Sequence, residues 1–210
     1  MNKIKGVIFD MDGVLIDAKE WHYDALNQAL ALFGLTITQA EHEGVFDGLP
    51  TRDKLNRLTE HRGLPPELHS FINEMKQRYT LDLIHQNCWP VYQHQYALAK
   101  LKRTGYRLGV ASNSVRGSIE TMLSRACLSP YLEFTLSNED VVCGKPDPEI
   151  YLRAQQCLGL KPHECVIVED NPHGIAAAHA SGANVLVVKD PSEVTWARIR
   201  DFIAQCEVVV

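Results

Sequence analysis

Four short apolar runs mark the chain: Gly6-Val7-Ile8-Phe9, Leu108-Gly109-Val110-Ala111, Cys165-Val166-Ile167-Val168 and Val185-Leu186-Val187-Val188. None alternates with polar residues, so each reads as a strand buried on both faces, the pattern of a parallel sheet. Between them lie segments of helical spacing. The stretch Tyr96–Leu101 runs up to Gly105, and Ile119, Met122, Leu123 and Ala126 share one helix face. Ile150, Leu152, Ala154 and Leu158 follow Asp147-Pro148, where aspartate at the N-cap and proline at the first helical position start a helix. The stripe Ala176, Ala177, Ala178 and Ala180 reads as close helix–sheet packing. Strands alternating with helices predict a doubly wound, Rossmann-like α/β sheet.

Residues 18–85 break this rhythm. Trp21, Ala25, Leu26, Ala29 and Leu32, then Leu55 and Leu58, then Phe71, Ile72 and Met75 recur at helical spacing with no apolar strand among them. Gly34, Gly48-Leu49-Pro50 and Gly63-Leu64-Pro65-Pro66 punctuate the segment. The pattern predicts a helical domain at 18–85 inserted into an α/β core made of 1–17 and 86–210. Trp89-Pro90 and Gly105 bracket the helix that returns the chain to the core.

Composition narrows the function classes. A chain of 210 residues supports one generous core or a core with an insertion. The 21 basic residues against 26 acidic ones leave a net charge of −5 with no basic cluster, so no nucleic-acid or anionic-membrane partner is expected. The longest aliphatic runs fall far short of the ~20 residues that cross a bilayer, and Met1–Lys5 leads straight into a strand without a signal-like apolar segment. Cysteines 88, 127, 143, 157, 165 and 206 form no CxxC pair and read as buried thiols of a reducing cytoplasm. The nine histidines show no HxH or HExxH spacing, which argues against a zinc site. A cytoplasmic protein is expected.

The chemistry-bearing residues collect at strand ends, where open parallel sheets bind their ligands. Strand one ends in Asp10-Met11-Asp12-Gly13, the second in Ser112-Asn113-Ser114, and the third run in Glu169-Asp170-Asn171; Gly144-Lys145-Pro146 precedes the Asp147 helix. Asp10, Asp12, Glu169 and Asp170 gathered beside Lys145 would repel one another strongly without a cation. Hard carboxylate donors with no soft ligand among them suit Mg²⁺.

Asp10-Met11-Asp12-Gly13-Val14, Ser112-Asn113, Gly144-Lys145-Pro146-Asp147-Pro148 and Glu169-Asp170 resemble, in order and spacing, the four motifs of the haloacid dehalogenase superfamily. The helical insertion after the first motif is similar to that superfamily's caps. Asp17, His22 and Gly48-Leu49-Pro50-Thr51-Arg52 resemble the cap signature of its β-phosphoglucomutase-like phosphatases and mutases. The resemblance implies that Asp10 is a nucleophile forming an aspartyl-phosphate. It implies that Asp12 protonates the leaving alkoxide and later deprotonates water. A free aspartate titrates near about 3.9, so Asp12 would have to be held partly protonated, as burial under a closed cap would do. Mg²⁺ would be held by the Asp10 carboxylate, the Asp12 backbone carbonyl and Asp170, with Glu169 in or beside the shell. Ser112, the Asn113 backbone N–H and Lys145 would hold the non-bridging oxygens.

For the cap, the resemblance implies gating or proton relay at His22 and recognition of the substrate's distal polar group at Arg52. The plainer readings are a core histidine and a solvated charge. Met75 stands where relatives carry a cap lysine four residues before a tyrosine, here Tyr79, and Lys76 comes one place later. His173 reads as a capping-turn residue after Asn171-Pro172. Hinges are expected near Asp17–Ala18 and Trp89-Pro90, and small capped relatives imply a monomer.

Within the superfamily, dehalogenases lack an acid at the place of Asp12 and ion-pumping ATPases carry threonine, so Asp12 points to phosphate monoesters. The reading is a Mg²⁺-dependent phosphatase acting on a small phosphorylated metabolite such as a sugar phosphate. The alternative is a phosphosugar mutase, but mutases carry a basic residue where Val115 follows Ser114, and Arg116 comes one later. A silent phosphate-binding regulator would have lost Asp10 or Asp12, and both are present.

Overall fold

The computed structural model describes residues 3–46 and 49–208, so Gly48 of the expected cap signature lies outside the described residues. Five strands, β1 (Gly6–Phe9), β2 (Arg107–Ala111), β3 (Phe134–Leu136), β4 (Cys165–Glu169) and β5 (Asn184–Val187), form one parallel sheet in the order β3-β2-β1-β4-β5. Four of them grow from the apolar runs. The fifth, β3, has only three residues with a threonine in the middle, and a short strand at a sheet edge gives too little apolar pattern to read.

In chain order the helices are α1 (Lys19–Ala31), α2 (Gln39–Glu41), α3 (Thr51–Arg62), α4 (His69–Asn87), α5 (Tyr92–Arg103), α6 (Arg116–Arg125), α7 (Glu149–Leu158), α8 (Pro172–Ala180) and α9 (Trp196–Val208). They divide between two compact units, residues 1–17 with 89–210, and residues 18–88. The expected boundary after residue 85 falls inside the last turn of α4. That helix continues to Asn87, and the Cys88 N–H still bonds the Ile84 carbonyl at 2.9 Å, so the chain leaves the helical unit three residues later.

In the α/β unit, Ile150, Tyr151, Ala154 and Leu158 of α7 and Ala177 and Ala178 of α8 bury against Ile8, Ala111, Leu136, Cys165 and Ile167. Of the alanine stripe, only Ala177 and Ala178 are buried; Ala176 and Ala180, one turn apart, point to the opposite, exposed face. Helix α7 starts one residue later than expected. Pro148 already has helical angles, while the Asp147 carboxylate accepts the Glu149 N–H at 2.9 Å and so still caps the first turn.

In the helical unit, α1 packs along α4, and Leu26, Ala29, Leu30, Ile37, Leu55, Leu58, Leu64 and Ile72 form its core. Leu32 and Phe71, which recur at helical spacing, are exposed; Leu30 takes the inward place on α1, while Ile72, expected beside Phe71, is buried on α4. Cysteines also depart from expectation. Cys127, Cys143 and Cys157 are exposed and Cys206 is half-buried, leaving Cys88 and Cys165 as the buried thiols. Burial, with Glu164 adding to it, pushes the Cys165 thiol up to about 12, so it packs as an inert apolar group. Among the described residues no helix is long and apolar enough to cross a membrane.

A Cβ built on Gly109 of β2 would lie 2.2 Å from ring carbons of Phe134 on β3. Gly109→Ala should therefore cost about 1–3 kcal/mol by overpacking in urea denaturation. The double variant Gly109→Ala/Phe134→Leu should recover part of that loss; no recovery would place the strain elsewhere.

Candidate active site at the carboxyl edge of the sheet

The register of the central strands decides which side chains meet. Gly6 pairs with Arg107 and Cys165, and Phe9 with Val110 and Val168, so β1, β2 and β4 finish nearly level. The Asp10 N–H continues the ladder to the Val168 carbonyl at 3.0 Å. The chain then turns sharply. The Met11 carbonyl accepts N–H groups of Val14, Leu15 and Ile16, and Gly13 takes φ 88°, a left-handed conformation that suits glycine. Asp10 and Asp12 are thus fixed at the head of a tight loop where the strand order reverses, the usual ligand crevice of such sheets.

The motif loops meet around the Lys145 ammonium. Lys145 Nζ donates to Asp10 Oδ1 at 2.6 Å and to Glu169 Oε1 at 2.8 Å, and all three side chains are buried. It also sits 4.7 Å from the ring centroid of Tyr151. The Tyr151 hydroxyl donates to the same Glu169 oxygen at 2.5 Å. On the backbone side, the Asn113 amide clamps the loop: its Oδ1 accepts the Lys145 N–H at 3.0 Å and its Nδ2 donates to the Lys145 carbonyl at 3.3 Å. The Lys145–Pro146 peptide is cis.

These contacts set the charge states. Burial raises Asp10 well above the usual carboxylate range; Lys145 opposes the rise, while Glu169 and Asp12 add to it. Burial alone would depress Lys145, but Asp10 and Glu169 outweigh it and the ammonium is held more firmly protonated than usual. Burial and then the Glu169 charge push the Tyr151 phenol well up, so it stays a donor.

The Asp12 carboxylate is oriented by the end of β2. Its Oδ2 accepts from Ser114 Oγ at 2.6 Å and lies 3.5 Å from Ser112 Oγ, while Ser112 Oγ accepts the Ser114 N–H at 3.1 Å. Asp10, Glu169 and Asp170 each bring a carboxylate oxygen within 4.8 Å of the other two. Three hard oxygen donors with no thiolate or imidazole among them, and more carboxylates than the one ammonium offsets, fit Mg²⁺.

The structure thus brings together Asp10, Asp12, Ser112, Asn113, Lys145, Glu169 and Asp170. His173 is a capping-turn residue, its N–H bonded to Asn171 Oδ1 at 3.0 Å. The two cap residues lie in the other unit. His22 on α1 meets Lys76 of α4, Nδ1 to Nζ 3.1 Å, so the displaced lysine has a partner that spacing alone did not show. Arg52, in the first turn of α3, is almost wholly exposed and 3.9 Å from Asp53. Sequence reasoning missed three contributors: the Ser114 hydroxyl, the Asn113 side chain and Tyr151. Tyr151 lies on the buried face of α7, in place of Leu152, which the expected stripe includes and which is exposed.

Lys145→Met would strand two buried carboxylates, with an expected loss of about 3–5 kcal/mol at neutral pH in chelator-treated buffer. Because a carboxylate without its counter-charge takes up a proton more readily, the deficit should shrink as pH falls. A loss independent of pH would mean that packing, not charge, is what the lysine supplies.

The family described as haloacid dehalogenase-like hydrolase matches residues 7–188. A phosphorylated carbohydrates phosphatase of Thermotoga maritima is 31% identical over 182 residues, 85% of this chain and 82% of its own. A probable pseudouridine-5'-phosphatase of Drosophila melanogaster is 27% identical over 195 residues, 91% of this chain and 84% of its own. Among solved structures, a β-phosphoglucomutase of Clostridium difficile superposes with a TM-score of 0.84 over 98% of this chain and 99% of its own at 23% identity, a likeness of fold.

Proposed function

The chain belongs to the haloacid dehalogenase-like hydrolases, and we propose that it is a Mg²⁺-dependent phosphatase of small phosphorylated metabolites, sugar phosphates foremost, working through an aspartyl-phosphate on Asp10. The observation that carries this reading is the Lys145 ammonium 2.6 Å from Asp10, with Asp12 held by Ser114 at the same sheet edge.

Asp10 attacks phosphorus, and the ester oxygen departs with a proton from Asp12. Water then attacks the aspartyl-phosphate, giving its proton to Asp12 and releasing inorganic phosphate and free Asp10. Lys145, the Ser112 hydroxyl and the Asn113 N–H are the donors for charge on the equatorial oxygens. Mg²⁺ would be held by Asp10, Asp170 and the Asp12 carbonyl; when bound it offsets the repulsion between a phosphate dianion and these carboxylates. Discrimination among esters is assigned to the helical unit, to His22 with Lys76 and to Arg52. The likeness to a phosphorylated carbohydrates phosphatase supports sugar phosphates as the substrate class.

The mutase reading is weaker. Arg116, the basic residue nearest the place where mutases carry one, is engaged by Asp140 at 2.7 Å and faces Glu139.

Phosphate release should be seen with Mg²⁺ from one or a few sugar phosphates in a panel that includes polyol phosphates and nucleotides, and chelator should abolish it. Asp10→Asn should keep the fold and lower turnover about a thousandfold or more. Wild-type turnover in that variant would refute the nucleophile assignment. Isomerisation of a phosphosugar, primed by its bisphosphate and without net release, would favour the mutase. In Asp12→Asn the first step, read as the pre-steady-state burst of alcohol release, should be slowed far more for alkyl phosphates than for p-nitrophenyl phosphate, whose leaving group needs no proton. Equal slowing of that burst would remove Asp12 as the acid.

A further inference from the structure

We propose that the outward face of α5 is a self-complementary docking surface on which a second copy of this chain pairs, antiparallel and about a two-fold axis, as a weak dimer. The inference is independent of the phosphatase reading, and it departs from the monomer that small capped relatives imply.

Helix α5 buries His94, Ala97, Leu98 and Leu101, and so turns Tyr92, Tyr96, Ala99, Lys100 and Arg103 outward at i, i+4, i+7, i+8 and i+11. Two aromatic rings fill the first half of this stripe and two cations the second. Tyr92 is 79% exposed and Tyr96 42%, with Trp89 and Val91, likewise exposed, just before them. The tyrosine rings stack, 5.8 Å between centroids and 26° between planes, and Lys100 Nζ lies 5.5 Å from the Tyr96 ring. No Asp or Glu occurs between Asp82 and Glu120, so no neighbour in sequence neutralises the cations. Single exposed apolar side chains are ordinary, but Trp89, Val91, Tyr92 and Tyr96 crowd one short stretch bordered by charge, the pattern of an interaction site.

The order of residues along the stripe selects the occupant. A parallel second helix would set cation against cation. Turned antiparallel about a point midway between residues 97 and 98, Tyr92 faces Arg103 of the second copy and Tyr96 faces its Ala99. Each pair then occurs twice, as a two-fold axis requires. The Tyr92 π face meets a guanidinium, and the small Ala99 leaves room for the Tyr96 ring where two helices approach to about 8–10 Å. An acidic peptide would engage the cations, yet nothing in its binding would call for the alanine between rings and cations. Covered aromatic side chains bury roughly 150–250 Å² each, so the present exposures offer about 450 Å² per copy and about 900 Å² in all. That lies below the ~1,200–2,000 Å² of stable complexes, which makes the dimer one in exchange with monomer.

Sedimentation equilibrium over about 1–500 µM reads the association directly. Wild type should pass from monomer to dimer with a Kd on the order of 50 µM. Tyr92→Ser removes the ring that meets Arg103, and Ala99→Gln puts a longer side chain where the Tyr96 ring of the second copy sits. Each should weaken association about tenfold or more. Arg103→Glu should do the same, because a carboxylate would meet the Tyr92 ring, while Arg103→Lys should stay within about threefold. Circular dichroism should show the wild-type fold in all four, and Tyr92→Ser, at the most exposed position, decides alone should another not fold. Wild type that stays monomeric throughout the range overturns the proposal; binding of fluorescein-labelled hexaglutamate to that monomer would assign the face to an acidic partner instead. A dimer that Tyr92→Ser, Ala99→Gln and Arg103→Glu leave unchanged also overturns it, since the association would then lie on another face.

Discussion

The architecture turns on one buried ammonium. Lys145 is taken out of water between Asp10 and Glu169, and an arrangement of this kind persists only when the geometry repays desolvation. Everything around it serves that end. Asn113 fixes the lysine's peptide, Tyr151 supplies a ring face and a hydroxyl, and the backbone after Glu169 saturates the second carboxylate oxygen. The excess of negative charge that remains is the ground for a cation, and the fixed ammonium is the ground for binding a phosphoryl group.

The sheet makes this convergence possible. Asp10 follows β1, Glu169 ends β4, and the two strands pair directly in register. Ser112 and Ser114 follow β2 on the other side of β1 and take hold of Asp12. Three loops distant in sequence are brought within hydrogen-bond reach because the strand order places β1 between β2 and β4. A slip of one residue in either pairing would turn alternate side chains away and dismantle the site.

Much of this was legible in the sequence because the signals are strong where burial is complete. The runs at 6–9 and 165–168 have no polar interruption, and they became the two strands that carry the acids. The acids and Lys145 stand out because charged residues directly after apolar strands have few structural reasons to be there. Illegible features have a common cause: their roles depend on a partner that spacing does not reveal. Tyr151 has the period of a core residue and is one, yet its hydroxyl meets Glu169. Asn113 is expected to act through its N–H, and its side chain in addition grips a loop 32 residues away. Leu32 and Phe71 fit the helical period but fall on the exposed side, since a period fixes a face only to within one neighbour.

If Asp10 carries the phosphoryl group, trapping it there is the direct measurement. Asp12→Asn protein, given acetyl phosphate and Mg²⁺, would be quenched and reduced with borohydride, and its peptides read by mass spectrometry. Reduction is expected at Asp10 alone, and none in an Asp10→Asn/Asp12→Asn control. Label on another residue, or phosphate release by the wild-type protein with Asp10 never labelled, would contradict it.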